Sequence, residues 1–271
     1  MFELFLFVDK GKRLLIVALR IFGVALLTLF WSVPVILLSF LDSYGERGAR
    51  LIRFWARGVL WLCRVKVQLH GRHRLDPGQA VLFMANHQSN FDIPIMMAAF
   101  DTLQVRWVSK REVRKVPVIG LCMQVTRQVL VDRDSPTQAI TVIRQVKKLL
   151  DAGISVVLFP EGTRTRDGRL QSFKPGGFAM AVATGAPVVP VTINGSRAIW
   201  PPGCLALRPG TVEVVFGEPI PVDAHLNKKA AREELAVKVH EAIATHLAPP
   251  STPADTPLAV PTSTPERQAS L

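Results

Sequence analysis

The chain has 271 residues, enough for one large domain or two small ones, and carries 33 Lys and Arg against 21 Asp and Glu for a net charge of +12. Because 49% of the residues are also hydrophobic, the balance argues for an anionic membrane as partner and against nucleic acid, whose binders are basic but seldom so apolar. Cys63, Cys122 and Cys204 are widely spaced and form no CxxC, so neither a disulfide framework nor a zinc knuckle is suggested, and a reducing compartment fits.

The first element is the uncharged run Ile21 to Leu41, "IFGVALLTLFWSVPVILLSFL", whose 21 positions are about what a bilayer crossing needs. It is too long for a signal peptide and has no convincing small-residue cleavage site behind it. Gly23 and Pro34 interrupt it. Lys10, Lys12 and Arg13 precede it, while Arg47, Arg50, Arg53, Arg57, Arg64 and Lys66 follow. Positive charge on both sides fits a re-entrant hairpin broken near Pro34; the downstream excess equally allows a single span. Either way the bulk of the chain is expected at the cytoplasmic face of the cell inner membrane. Residues 1–45 are therefore read as a membrane-embedded helix or hairpin. Residues 46–66 read as a basic amphipathic interfacial helix, with Leu51, Trp55, Val59 and Leu62 on one face and Arg50, Arg53, Arg57 and Arg64 on another. An ordinary surface helix packed on the domain is the plainer alternative.

Beyond Val65 come seven short runs rich in β-branched residues and bordered by Gly or Pro: "VKVQLH", "AVLFMA", "VRWVSK", "QVLVDR", "ISVVLFP", "APVVPVTI" and "TVEVVFG". Helices are expected after Asn90, over Gly176 to Thr184, and over Lys228 to His246. Another begins at Ser135, as N-cap, with Pro136 and Gln138 in a capping box; it buries Ala139, Ile143, Val146 and Leu150 and ends at Gly153. The alternation predicts an α/β fold, a mixed and mostly parallel sheet flanked by helices, over residues 67–247. Residues 248–271, with six prolines, read as a disordered tail.

Two of the strand runs are followed by residues with chemical use. In "NHQSNFD", His87 and Asp92 lie five positions apart, which on one continuous helix would separate them by about 140°. They meet if His87 sits in the loop leaving the strand and Asp92 in the first turn of the next helix, with Ser89 or Asn90 as N-cap. The helix N-terminus favours a negative charge there, the carboxylate accepts the imidazole Nδ1 proton, and Nε2 is left to take a proton from a hydroxyl. No third ligand stands near in sequence to make a metal site, although ligands from afar remain an option. In "FPEGTRT", Gly162 allows a tight backbone, Arg164 offers a bidentate fork for phosphate and Thr163 a hydroxyl, while Lys174 in "SFKPGG" adds a cation before a helix start. Both stretches following strands is the arrangement of a site at the carboxyl edge of an α/β sheet.

The stretches "NHQSNFD", "VLVDRD", "FPEGTRT" and "VVPVTI", in this order and spacing, resemble the four blocks of the glycerolipid acyltransferase family, most closely its 1-acyl-glycerol-3-phosphate acyltransferases, over about residues 65–221. The resemblance implies that His87 is the general base and Asp92 its orienting partner. It implies that Glu161, Gly162, Thr163 and Arg164 bind the acyl acceptor, Arg164 through its phosphate, and that Lys110 is a second phosphate-binding cation. Arg133 corresponds to the second block, whose match is looser; a structural arginine between Asp132 and Asp134 is an equal reading. Pro190 would shape the site wall. The implied reaction moves a fatty-acyl group from acyl-CoA or acyl carrier protein, as co-substrate and without cofactor or metal, to the sn-2 hydroxyl of lysophosphatidic acid. The bilayer would be the further partner. Other lysophospholipid, lyso-aminolipid or glycerol-3-phosphate acceptors use the same chemistry, and a non-catalytic lipid-binding protein is a reading from a different class. Backbone N–H groups near the helix start are the expected oxyanion donors.

Overall fold

The structure, a computed structural model, describes residues 2–100, 102–132, 138–204 and 206–249. All seven expected runs are strands: β1 (Val65–His70), β2 (Leu82–Ala85), β3 (Val105–Lys110), β4 (Val129–Val131), β5 (Ser155–Leu158), β6 (Val188–Asn194) and β7 (Gly210–Phe216). They form one sheet in the order β1-β7-β6-β2-β5-β3-β4, with every neighbouring pair parallel except β6 and β7. The helices are α1 (Phe2–Ser39), α2 (Glu46–Leu62), α3 (Asp92–Ala99), α4 (Ile119–Val125), α5 (Ala139–Asp151), α6 (Pro175–Thr184), α7 (Ser196–Ile199) and α8 (Lys228–His246).

β2, β5 and β6 bury every residue, because helices cover both faces of the sheet and leave no side for polar alternation. Phe83, Val157 and Val191 pack into one core with α2 and α3; Leu82, Val156 and Val188 pack into the other with α5, α6 and α8. Pro190 lies within β6, in the gap between the Val188–Ile220 bridge and the Val191–Phe216 pair, where its carbonyl accepts Gly217 N–H at 2.9 Å. That gap makes room for a residue lacking a donor. Pro190 does not line the cavity described below.

Two expectations are adjusted. α5 buries Val142, Val146 and Leu149, while Ala139 is exposed and Ile143 and Leu150 are half-buried. Adjacent apolar stripes on one helix differ by a single residue, and packing against the sheet selects between them. Gly153, at φ +75°, ends this helix as expected, whereas Ser135 and Pro136 lie outside the described residues, as does the tail beyond 249.

The second adjustment concerns the N-terminus. α1 runs unbroken through Gly23 and Pro34, with no hairpin bend, and Leu14–Ser39 is long and apolar enough to cross a membrane by length and composition. Gly23 serves a close helix crossing, since a Cβ there would sit 2.7 Å from Leu62 Cδ2. At the other end of the crossing, a Cβ on Gly48 would sit 2.0 Å from Ser39 Oγ. Trp55 Nε1 donates to Thr28 Oγ1 at 3.0 Å, and Arg20 donates to the Leu207 carbonyl at 2.8 Å. α2 is thus wedged between α1 and the sheet, burying Gly48, Ala56, Val59 and Leu60. Leu51, Trp55 and Leu62 are half-buried, and Phe54 and Trp61 are left exposed. It has two apolar faces where one was expected, because it carries a neighbour on each side.

Candidate active site

β2 and β5 are adjacent and parallel, so their carboxyl ends open side by side. The chain leaving β2 passes towards β3 and the chain leaving β5 towards β6, on opposite sides of the sheet order. Each connection passes over the other strand but on its own face of the sheet, α3 in one core and α6 in the other, and this parting leaves a crevice between the two loops, where α/β sheets commonly hold their ligands.

His87 follows β2, and Asp92 is the first residue of α3. Asp92 is fully buried, and its Oδ2 takes three contacts: His87 Nδ1 at 2.7 Å, Gln88 N–H at 2.7 Å and Ser89 N–H at 2.8 Å. A carboxylate only accepts, so His87 carries its proton on Nδ1 and keeps Nε2 for the cavity that it lines. The N-cap position of α3 is Phe91 and has no side-chain cap, so neither Ser89 nor Asn90 takes the expected place; Ser89 shapes the preceding loop, its Oγ accepting from Phe91 N–H at 3.0 Å and donating to the Trp200 carbonyl at 2.7 Å. The Gln88 and Ser89 N–H groups are engaged by Asp92 and are not the oxyanion donors expected at this helix start.

Three further residues, which the sequence reading missed, hold the loop and the ring of His87. Asn86 pairs through both amide atoms with Ile193, donating to its carbonyl at 3.0 Å and accepting its N–H at 2.7 Å, which ties the end of β2 to β6. The Phe159 ring stacks on His87 with centroids 3.9 Å apart and planes within 8°. Thr165 N–H donates to the His87 carbonyl at 2.8 Å. Phe159 and Thr165 stand in the quoted stretch "FPEGTRT", but only the tertiary fold puts them against the histidine.

Glu161 is not where the resemblance puts it. It is 2% exposed and does not line the cavity. Its Oε1 accepts His87 N–H at 2.7 Å and its Oε2 accepts Gln171 N–H at 3.0 Å, so it clamps the two motif loops together. Burial pushes its carboxyl up to about 7, against the two backbone donors, with the charges of Asp92 and Asp167 acting in the same direction as burial.

The remaining predicted residues do gather. Gly162 (φ +78°), Thr163, Arg164, Lys110 and Lys174 line, with His87, one cavity of about 810 Å³. Arg164 is oriented by Asn90 Oδ1, which its guanidinium contacts. Lys174 immediately precedes α6, its own N–H donating to the Pro160 carbonyl at 2.8 Å. Arg133 lies outside the described residues. A second, apolar cavity of about 300 Å³ adjoins the first, sharing Asn90, Ile93, Trp107, Ser109 and Val113 with it and walled by Thr28, Trp31 and Val35 of α1 and by Cys122 and Met123 of α4. Among the described residues no group of three or more His, Cys, Asp or Glu is placed to hold a metal ion.

Residues 66–194 match the family model described as Acyltransferase. A 1-acyl-sn-glycerol-3-phosphate acyltransferase of Pseudomonas aeruginosa is 31% identical over 192 residues, covering 69% of this chain and 73% of that protein. The chain belongs to this acyltransferase family. A 1-acyl-sn-glycerol-3-phosphate acyltransferase of the alga Chlamydomonas reinhardtii is 34% identical over 70% of the chain, which spans only 57% of that relative's length. In structure, the family likeness extends to the 1-acyl-sn-glycerophosphate acyltransferase PlsC of Thermotoga maritima, with a TM-score of 0.73 and 26% identity over 90% of this chain and 99% of that one.

Proposed function

We propose that the chain is a membrane-bound lysophosphatidic acid acyltransferase. The reaction moves a fatty-acyl group from an acyl-CoA or acyl carrier protein thioester to the sn-2 hydroxyl of lysophosphatidic acid, and the product is phosphatidic acid. The observation that carries this reading is the union of the His87–Asp92 pair with Arg164, Lys110 and Lys174 in one cavity that adjoins an apolar one. Cations for a phosphomonoester, a base for a hydroxyl and an apolar space for a chain are what such a substrate pair requires. The names of the relatives point to the same acceptor.

In the mechanism, His87 Nε2 takes the sn-2 hydroxyl proton as that oxygen forms its bond to the thioester carbonyl carbon. The C–S bond breaks as the tetrahedral intermediate collapses, and the imidazolium returns the proton to the leaving thiolate. Asp92 holds the ring and balances its transient charge. No acyl-enzyme is required, since the thioester is already activated.

The membrane part of the proposal rests on α1. Its contacts with the body extend from Arg20 to Ser39, a length of roughly 30 Å at 1.5 Å per residue. A helix packed along the domain over that distance suits a seat within one leaflet, on the cytoplasmic side of the inner membrane, better than a free crossing.

The test is transfer of labelled oleoyl or palmitoyl groups from CoA and from acyl carrier protein to lysophosphatidic acid, with purified chain in detergent. The expected result is phosphatidic acid from wild type, a fall of roughly 10³-fold or more in kcat for His87→Ala, and a raised acceptor KM for Arg164→Ala. Folded wild-type chain that forms no phosphatidic acid with either donor would overturn the reading.

A further inference from the structure

We propose that the segment Lys110 to Leu121 is a second bilayer-docking surface, whose apolar tip enters the headgroup region of an anionic membrane and whose basic collar binds lipid phosphate groups. The inference rests on the reading of α1 as a membrane-seated helix, and adds a contact made by the catalytic domain itself.

β3 ends at Lys110, a 3-10 turn follows over Arg111–Lys115, and α4 begins at Ile119. In this bend and the first residues of α4, Val116, Ile119 and Leu121 are 43%, 42% and 48% exposed, Ile119 also bordering the apolar cavity. Single exposed apolar side chains are ordinary on protein surfaces. Three within six residues, directly after the exposed Lys110, Arg111, Arg114 and Lys115 with Glu112 the one acidic residue among them, are not. Among the described residues Lys110, Arg114 and Lys115 have no carboxylate within ion-pair distance, and Arg111 reaches Asp132 only at 3.7 Å. An apolar tip inside a cationic collar is the pattern of elements that insert shallowly into anionic lipid.

The tip is held in shape. Val118 adopts φ +65°, a conformation that a β-branched residue rarely takes. Any Cβ at Gly120 would sit 2.1 Å from the Arg114 carbonyl oxygen, so the 3-10 turn and the start of α4 are pressed together. Gly120 N–H closes the bend onto the Val116 carbonyl at 2.8 Å.

The surface is also continuous with α1. α4 and α1 wall the same apolar cavity. Arg127 Nε donates to the Ser43 carbonyl at 3.3 Å, and Gly45 abuts the Val125 carbonyl so closely that a Cβ would lie 2.4 Å from its oxygen. Phe30, Val33 and Leu37 on the neighbouring helix, and Phe40 just beyond its end, are exposed in the same way. A body anchored along one helix can roll about that helix. A second contact at the tip stops the roll and holds the cavity, which Lys110 and Val113 help to line, at the lipid surface.

The full chain, with Cys122 and Cys204 replaced by alanine and the buried Cys63 retained, would carry an environment-sensitive fluorophore at one of three positions: Leu121→Cys, Phe30→Cys on α1, or Val237→Cys on α8. The last is exposed on the helix layer at the other face of the sheet. Each would be bound to phosphatidylcholine vesicles with and without phosphatidylglycerol and quenched by lipid spin-labelled near its headgroup. The proposal expects quenching at 121 and 30 and none at 237, and a severalfold loss at 121 when Arg114→Gln and Lys115→Gln are added in phosphatidylglycerol vesicles. Quenching at 30 with 121 as dark to the quencher as 237 would overturn the second surface and leave the α1 seat standing. No quenching at 30 would overturn the seat and the inference with it. Quenching at 121 that ignores the paired charge change would overturn the role given to the collar.

Discussion

Glu161 and His87 are joined by a single hydrogen bond from a backbone N–H, and that bond changes what the carboxylate is for. A glutamate presented to a substrate needs an open face; this one is enclosed, with each oxygen on a different loop. The cost is a charge in a buried place, visible as a carboxyl raised from 4.5 to about 7. The folded chain therefore holds a proton between those pH values that the unfolded chain releases, so this group's contribution is complete below about pH 4.5 and is lost as pH rises through 7. At one pKa unit per 1.36 kcal/mol the whole effect is on the order of 3 kcal/mol. Melting of the wild-type chain in detergent should fall by several degrees from pH 5 to pH 8, and Glu161→Gln should flatten that slope whatever its own baseline. The expected contact between His87 and Asp92 is present, because a loop and a helix start bring them together within five positions. It went astray for Glu161 because the direction of a side chain leaving a loop is decided by partners 74 and 10 residues away.

At the level of elements, the central strands β5 and β6 were legible because burial on both faces writes continuous runs rich in β-branched residues. The helices were legible where caps or strong periodicity marked them, and α4 was not, since "VPVIGLCMQV" has neither an opening cap nor an alternating face. The α1–α2 crossing was hidden for another reason: glycine in an apolar run reads as an interruption, whereas Gly23 and Gly48 are where two helices touch. Gly48→Val should force them apart, because its branches would collide with Ser39 Oγ and the Val35 carbonyl. Overpacking of this kind costs about 1–3 kcal/mol. The expected outcome is a lower melting temperature together with faster proteolysis of α1, measured on the detergent-solubilised chain.

On the scale of the whole molecule, the two adjoining cavities have two kinds of wall. The larger is built from loops at the sheet edge, the smaller from helices that include the apolar α1. Under the proposed function the smaller one sets which acyl chains fit. Met123 lines it from α4, and Met123→Trp should fill part of its volume and move donor preference to chains shorter by a few carbons, read from kcat/KM across a thioester series. Unchanged preference would place the chain elsewhere. No sequence pattern announces such a cavity, since it belongs to four helices and to none of them singly.

The clamp from Glu161 to His87 closes a loop of 74 residues. The histidine and its aspartate can come together as soon as α3 forms, but the clamp, the Phe159 stack and the Arg164 guanidinium arrive only when β5 has docked beside β2, and β3, β4 and α5 lie between those two strands in sequence. Long-range closures of this sort are entropically late events in folding. A chain still emerging from the ribosome therefore carries a local His–Asp pair before the cavity around it exists, and gains that cavity only when the central pair of parallel strands has joined.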